Sequence, residues 1–462
     1  MQKYLIKNIN IVNEGRIIAG DVLVSGGRIE KIGTGISIKG TATEINGEGK
    51  FLLPGVIDDQ VHFREPGLTH KADIATESKA AVAGGVTSFM EMPNTVPPAL
   101  THELLEQKYD RAAHTSLANY SFFMGTSNDN ADEVLRTNDR RKDVCGVKIF
   151  MGSSTGHLLV DNYLALDRIF RESEVLIAAH CEEEPMILAN LQKLRAEKGA
   201  LEPADHAVVR DAEECFASSF KAVQLAMKHN TRLHILHIST ARELQLFTNM
   251  LPLQDKRITA EVCVHHLHFT ADDYPHMGNL IKCNPAIKAP ENRDALWQAL
   301  LDDRLDVIAT DHAPHTWAEK QVPEGFRWPA TERQQVSGWG ETAHAGLPLV
   351  QHSLMLMLMY YRQGRISLEK IAGKMSHAVA DCFRIRERGY IREGYYADLV
   401  IIDPGTPYTV SKENILYKCG WSPLEGTVFP DSVSHTFVNG RLVYGNGSWD
   451  ESVKGMRLAF DR

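Results

Sequence analysis

Residues 51–67 read FLLPGVIDDQVHFREPG. An apolar run gives way to alternating polar and ionisable residues, the period-two pattern of a strand whose tip leaves the core. The same pattern recurs in GVTSFMEMP (85–93), CGVKIFMG (145–152), VLIAAHCE (175–182), RLHILHIS (232–239), ITAEVCVHH (258–266) and LDVIATDHAPH (305–315). Between these lie helix-like stretches such as HKADIATESKAAVAGG (70–85) and HAVVRDAEECFASSFKAVQLAMKH (206–229). Repeated strand–helix units imply a parallel sheet with right-handed crossovers. This many units in one domain favour an α/β fold closed as a (β/α)8 TIM-like barrel, which places chemistry at the C-terminal strand ends. The unusual residues cluster there.

The two chain ends read differently. KYLIKNINIV, IIAGDVLVSGG and RIEKIG near the start, and ADLVIIDP (397–404) and SHTFVNGRLVYGNG (434–447) near the end, are short β-rich runs broken by Gly and Asn, with a hairpin signal at Asn439-Gly440. We therefore expect residues 1–53 and 386–462 to form one small β-sandwich domain, and residues 54–385 to form the barrel. LMLMLMYY (354–361) reads as a buried helix, and CEEEP (181–185) as a solvated loop. Residues 312–345 lack periodicity, which points to a functional loop bordering the substrate.

The 462 residues carry a formal net charge of -9 and are 43% hydrophobic, an ordinary globular composition. Mild acidity argues against nucleic acid as partner. No apolar run approaches the roughly 20 residues that cross a bilayer. The start lacks the apolar core of a signal peptide. Seven dispersed cysteines, none in a C-x-x-C pair, fit a reducing cytoplasm.

With twenty histidines in the chain, a single one means little; shared topological position means more. His62, His180, His237 and Asp311 each stand at the tip of a candidate strand, and Lys148 lies within one. Imidazoles and carboxylates suit zinc. Lys148 alone reads as an amine paired with a nearby acid. Beside two histidines and an aspartate, the better reading is a lysine carbamylated by CO₂, able to bridge two metals. Arg64 lies two residues past His62 and, on an extended strand, would share its side. His265, His266 and His268 are better explained by packing.

DDQVHFREPGLTHKADI, EMPNTVPP, GVKIFMGSS, AAHCEEE, HILHIST, EVCVHHL, KCNPAIK and TDHAPH, in this order, resemble the dihydroorotases of the amidohydrolase superfamily. YYADLVIIDP and FVNGRLVYG resemble the family's C-terminal part. The resemblance implies reversible cyclisation of N-carbamoyl-L-aspartate to L-dihydroorotate in pyrimidine synthesis. It implies zinc, one ion on His62 and Asp311 and another on His180 and His237, bridged by carboxylated Lys148. Asp311 would be the catalytic base. Arg64, Asn94 and His315 would hold the substrate carboxylate, Asn284 would contact substrate, and Ala345 and Gly346 would offer backbone groups to the ring. It also suggests a homodimer.

Two departures stand out. Ala286 and Lys288 replace residues common in the family. Gln60 occupies the position of the first histidine of an H-x-H pair, and an amide carbonyl is a weak zinc ligand. The site then binds two metals, binds only the one on Lys148, His180 and His237, or belongs to an inactive partner of aspartate carbamoyltransferase. A cyclic amidohydrolase of allantoinase or hydantoinase type is the other alternative. Those substrates lack the carboxylate that Arg64 would grip.

Overall fold

The computed structural model describes residues 2–38, 40–152, 158–321 and 343–462. Eight parallel strands form its centre: β1 (Val56–Val61), β2 (Val86–Glu91), β3 (Asn119–Phe122, continuing in Met124–Gly125), β4 (Val147–Phe150), β5 (Ile177–His180), β6 (Leu233–Ile235), β7 (Ile258–Cys263) and β8 (Val307–Ala309). Each pairs with the next in chain order. The ring closes where His312, just past β8, bridges Val61 of β1, and the amide of His62 donates to the His312 carbonyl at 2.7 Å. The expected closed barrel is the architecture found.

The strands are buried on both faces because helices cover the outside. Ile74–Ala83 follows β1, His102–Thr115 follows β2, Tyr163–Glu172 follows β4 and Pro290–Leu301 follows β7. Asp73, Thr101 and Asn162 cap the first three through side-chain oxygens that accept first-turn amides. The long helical stretch after β5 is two helices, His206–Val209 and Ala212–His229. Asp211 starts the second by accepting from Glu213 and Glu214, so the break is an N-cap. The methionine-rich run lies in the helix Ser353–Arg362, with Leu354 through Leu358 buried.

Both chain ends contribute to one nine-stranded sheet among the described residues. Phe51–Pro54 runs parallel to Lys3–Asn13 on one side and antiparallel to Leu399–Asp403 on the other, which ties the two ends together. Asn439 and Gly440 form the two-residue turn between Ser432–Val438 and Arg441–Gly445, both at positive φ as such a hairpin requires. The last residues leave this sheet. Leu458 and Phe460 pack with Met90, Phe123, Val379 and Phe383 beneath the barrel.

Within the barrel a charged layer underlies the strand tips. Asp59, His234 and Glu261 are fully buried, and their polar atoms lie within 4.8 Å of one another. Burial disfavours the His234 imidazolium, but the two carboxylates outweigh it and raise His234 to about 9. Asp58 anchors the end of β8, accepting from the Thr310 hydroxyl at 2.6 Å and from the Thr310 amide at 3.3 Å.

Candidate active site

A cleft of about 120 Å³ opens at the C-terminal strand ends. Its lining brings together every residue expected from the sequence to hold metal or substrate: Gln60 on β1, His62 and Arg64 after it, Asn94 after β2, Lys148 on β4, His180 on β5, His237 after β6, Asn284, and Asp311, His315, Ala345 and Gly346 after β8. Phe150, Ala313 and His344 complete it.

On one side His180 Nδ1 and His237 Nε2 face each other at 2.9 Å. His180 Nε2 donates to Glu182 Oε2 at 2.8 Å, so its Nδ1 keeps a lone pair for the cleft. Glu182 is fully buried and held by the equally buried Arg210 at 2.6 Å. That corrects the reading of residues 181–185 as a solvated loop: Cys181 and Glu182 are buried, and the helix Glu184–Lys198 begins directly after them. Burial keeps His180 and His237 below the usual imidazole range, hence neutral. Lys148 is 1% exposed and, among the described residues, no carboxylate lies within ion-pair distance of it; its ammonium sits 4.4 Å from the Phe150 ring centroid. Burial brings it down to about 7. The paired-amine reading of this lysine therefore lacks its acid.

On the other side His62 Nε2 donates to Asp311 Oδ1 at 3.1 Å, and His62 Nδ1 lies 2.8 Å from the Asn94 amide. Gln60 Nε2 donates to the same Asp311 oxygen at 3.1 Å. Burial works to raise Asp311, but His62 outweighs it and holds the carboxyl below its ordinary range. Gln60 presents a donor because a carboxylate can only accept. Its carbonyl is consequently turned to Cys263 Sγ, 3.7 Å away.

Arg64 is placed by a different device from the one expected. β1 ends at Val61, and Arg64 has φ +69°, so a left-handed turn rather than strand alternation swings it into the cleft. His237 and Asp311, at φ +39° and +47°, likewise lie two residues beyond their strands. Positive φ at non-glycine residues costs about 1–3 kcal/mol each and concentrates at functional sites. Arg64 is 7% exposed, donates from Nε to the Pro314 carbonyl at 3.1 Å, and has no ion-pair partner among the described residues. Burial lowers it to about 10, so it remains a cation at neutral pH.

Asn284 Oδ1 accepts from His206 Nε2 at 3.0 Å. Gly346 has φ +141°, and a Cβ there would meet the Ala313 carbonyl at 2.4 Å, so only glycine fits that wall. Lys320, fully buried, donates to the carbonyls of Lys282, His344 and Gly346 and fixes the segment behind it. Of the expected loop 312–345, residues 322–342 lie outside the described residues; His315, His344 and Ala345 border the cleft. His265, His266 and His268 are absent from the lining. His266 Nε2 donates to the Pro285 carbonyl, and His268 Nδ1 lies 2.9 Å from the Tyr360 hydroxyl.

Neutral imidazoles meeting nose to nose, an unpaired buried lysine and a carboxylate at one barrel mouth form the donor set of a metal-dependent hydrolase. The comparisons agree with that class. The model of the amidohydrolase family matches residues 51–443, and the chain belongs to that family. It is 30% identical to the dihydroorotase of Halobacterium salinarum, covering 94% of this chain and 95% of the relative. It is 31% identical to the dihydroorotase of Methanothermobacter thermautotrophicus, covering 95% and 91%. Among solved structures, the L-hydantoinase (dihydropyrimidinase) of Arthrobacter aurescens superposes with a TM-score of 0.87 at 24% identity, covering 98% of both chains, and so shares the barrel and β-sheet fold. No helix among the described residues is long and apolar enough to cross a membrane.

Proposed function

We propose that the protein is a zinc-dependent dihydroorotase, interconverting N-carbamoyl-L-aspartate and L-dihydroorotate. The observation that carries the reading is Arg64, a buried guanidinium in the cleft with no carboxylate partner among the described residues. An uncompensated buried cation is costly unless a ligand supplies the anion. Dihydroorotate carries such a carboxylate, whereas hydantoin, dihydrouracil and allantoin do not. The names of the relatives near 30% identity point the same way.

The residues fit a metal. Lys148, His180 and His237 would hold one ion, with Lys148 carboxylated on Nζ, a reaction open to it because burial leaves much of the amine uncharged near pH 7. Zinc in such a site polarises a carbonyl and lowers the pKa of water to about 7. Asp311 accepts the proton of the attacking water and returns it to the ring nitrogen as the amide C–N bond breaks. In the cyclising direction Asp311 takes a proton from the ureido nitrogen as that nitrogen attacks the side-chain carboxyl carbon and passes it to the departing oxygen, which with a second proton from solution leaves as water. Arg64, Asn94 and His315 grip the carboxylate that does not react, and Asn284 with the Ala345–Gly346 backbone supports the ring.

Gln60 answers to the donor role, not the ligand role. Its amide nitrogen serves Asp311, so its carbonyl points away from the carboxylate a second ion would share. We infer one tightly held zinc per chain. Gln60→His should raise the content from about one to about two metals per chain after dialysis. Two tightly held metals in the wild type, measured by elemental analysis, would overturn this assignment.

The test of the function is steady-state hydrolysis of L-dihydroorotate beside hydantoin, dihydrouracil and allantoin, with zinc and bicarbonate supplied. Turnover of dihydroorotate above the other three is expected. Preference for a ring without a carboxylate would move the protein to the hydantoinase or allantoinase reading. No turnover of any, with co-purification of aspartate carbamoyltransferase, would favour the non-catalytic one.

A further inference from the structure

His315 is flanked by two cations, and both of its ring nitrogens are engaged. Lys71 Nζ lies 3.0 Å from Nδ1; on the other edge, Nε2 lies 3.0 Å from the Ala345 carbonyl and 3.1 Å from Arg64 Nη2. An ammonium and a guanidinium can only donate, and a carbonyl can only accept. A neutral imidazole has one N–H and one lone pair, so these contacts admit a single arrangement that satisfies the lysine and the carbonyl together. Nδ1 accepts from Lys71, and Nε2–H points at Ala345 O. Arg64 Nη2, facing a nitrogen that already bears a proton, has nothing to donate to there. The reverse tautomer would set an N–H against the lysine and a lone pair against the carbonyl.

We propose that Lys71 is a positioning residue that fixes His315 as an Nε2–H donor, so that a substrate carboxylate competing with Ala345 O for that proton meets only donors on His315 and Arg64. Lys71 can do this because it is itself held. It is buried at 6% exposure and paired with Glu319 Oε1 at 2.9 Å, while Glu319 accepts from the Thr316 amide at 2.8 Å. The ring cannot escape by rotating its backbone, since Trp421 Nε1 donates to the His315 carbonyl at 2.7 Å, and His344 stacks on the ring at 4.9 Å between centroids. Burial, with the charges of Arg64, Lys71, Lys320 and His344, keeps the imidazole uncharged, although the Glu319 carboxylate lies 3.9 Å from Nδ1, beyond hydrogen-bond reach. A neutral ring whose proton sits on Nε2 binds an anion; one whose proton sits on Nδ1 turns a lone pair toward it.

The inference rests on the proposed carboxylate substrate for its functional consequence, but not for its structural claim, and the two are read separately. Long-range ¹H–¹⁵N spectra of histidine-labelled resting enzyme, with His315 assigned by its disappearance in His315→Asn, should show protonation at Nε2 alone. In Lys71→Met the ring should become a mixture of tautomers, and Lys71→Arg, which keeps a donor, should restore Nε2–H. KM for dihydroorotate should rise about ten- to hundred-fold in Lys71→Met, the worth of a hydrogen bond to a charged group, with kcat changed much less. A wild-type ring protonated on Nδ1 overturns the proposal, as does a Lys71→Met ring that keeps its Nε2 proton. If Lys71→Met does not fold, the wild-type and Lys71→Arg spectra decide. If the wild type fails to turn over dihydroorotate, the functional reading falls and the tautomer measurement still judges Lys71.

Discussion

Replacing Asp311 by asparagine should lower kcat for dihydroorotate by about 10²–10⁴-fold, the range that one positioned acid–base group supplies, while leaving most of the zinc in place. The asymmetry follows from the two sides of the cleft. Lys148, His180 and His237 form one donor group, with Glu182 and Arg210 supporting it from below. Asp311 belongs to the other side, where His62 and Gln60 both donate to Oδ1. Those two bonds leave Oδ2 as the oxygen available to a proton. Asparagine can keep its carbonyl oxygen under His62 and Gln60, so the site need not collapse, but it has no second oxygen able to take a proton. The backbone at φ +47° exists in the wild type whatever the side chain, and Asp58 still anchors the strand end through Thr310. Elemental analysis and steady-state kinetics on the same preparation check both halves. Near-normal kcat would remove Asp311 from the role of base, and loss of the metal would make it chiefly a ligand.

The parts of this site that were legible in the sequence are those carried by a local pattern. An apolar run with a polar tip fixes where a strand ends, and four such tips supply His62, His180, His237 and Asp311, while Lys148 stands out as a charge inside the apolar strand Val147–Phe150. What local pattern cannot carry is the direction of a side chain once the strand has stopped. Arg64 follows His62 by two residues, yet reaches the cleft through a left-handed turn, so alternation gave the correct face for the wrong reason. Glu182 stands in an acidic run that looks solvated; its partner Arg210 is 28 residues away, and nothing near Glu182 announces that the ion pair is buried. Lys71, Trp421 and Lys320 act on the cleft across separations of 244, 106 and 24–38 residues. Each looks like an ordinary surface or loop residue in one dimension. Gln60 was visible as an anomaly, but which end of its amide faces Asp311 is decided by a neighbour 251 residues away.

Arg64→Met should cut kcat/KM for dihydroorotate by about 10²–10³-fold, the order expected when one partner of a buried charged pair is removed, and should spare any turnover of rings that lack a carboxylate. Methionine preserves much of the aliphatic stem and removes the cation. In the free enzyme the guanidinium makes a hydrogen bond to Pro314 but, among the described residues, no ion pair. Its burial is thus a standing cost to the unliganded fold, which the more distant charges of Asp311, Glu91 and Glu319 offset in part and an anionic ligand in direct contact would offset further. This gives the variant a second signature. Losing the Pro314 bond destabilises by about 1 kcal/mol, while losing a desolvated, unpaired charge stabilises by a comparable amount or more. The melting temperature of Arg64→Met without ligand should therefore match or exceed that of the wild type. A misfolded variant would instead lose activity toward every substrate and melt lower. A normal kcat/KM for dihydroorotate in a well-folded Arg64→Met protein would mean that the carboxylate is held elsewhere, and the argument from Arg64 to the substrate would fail with it.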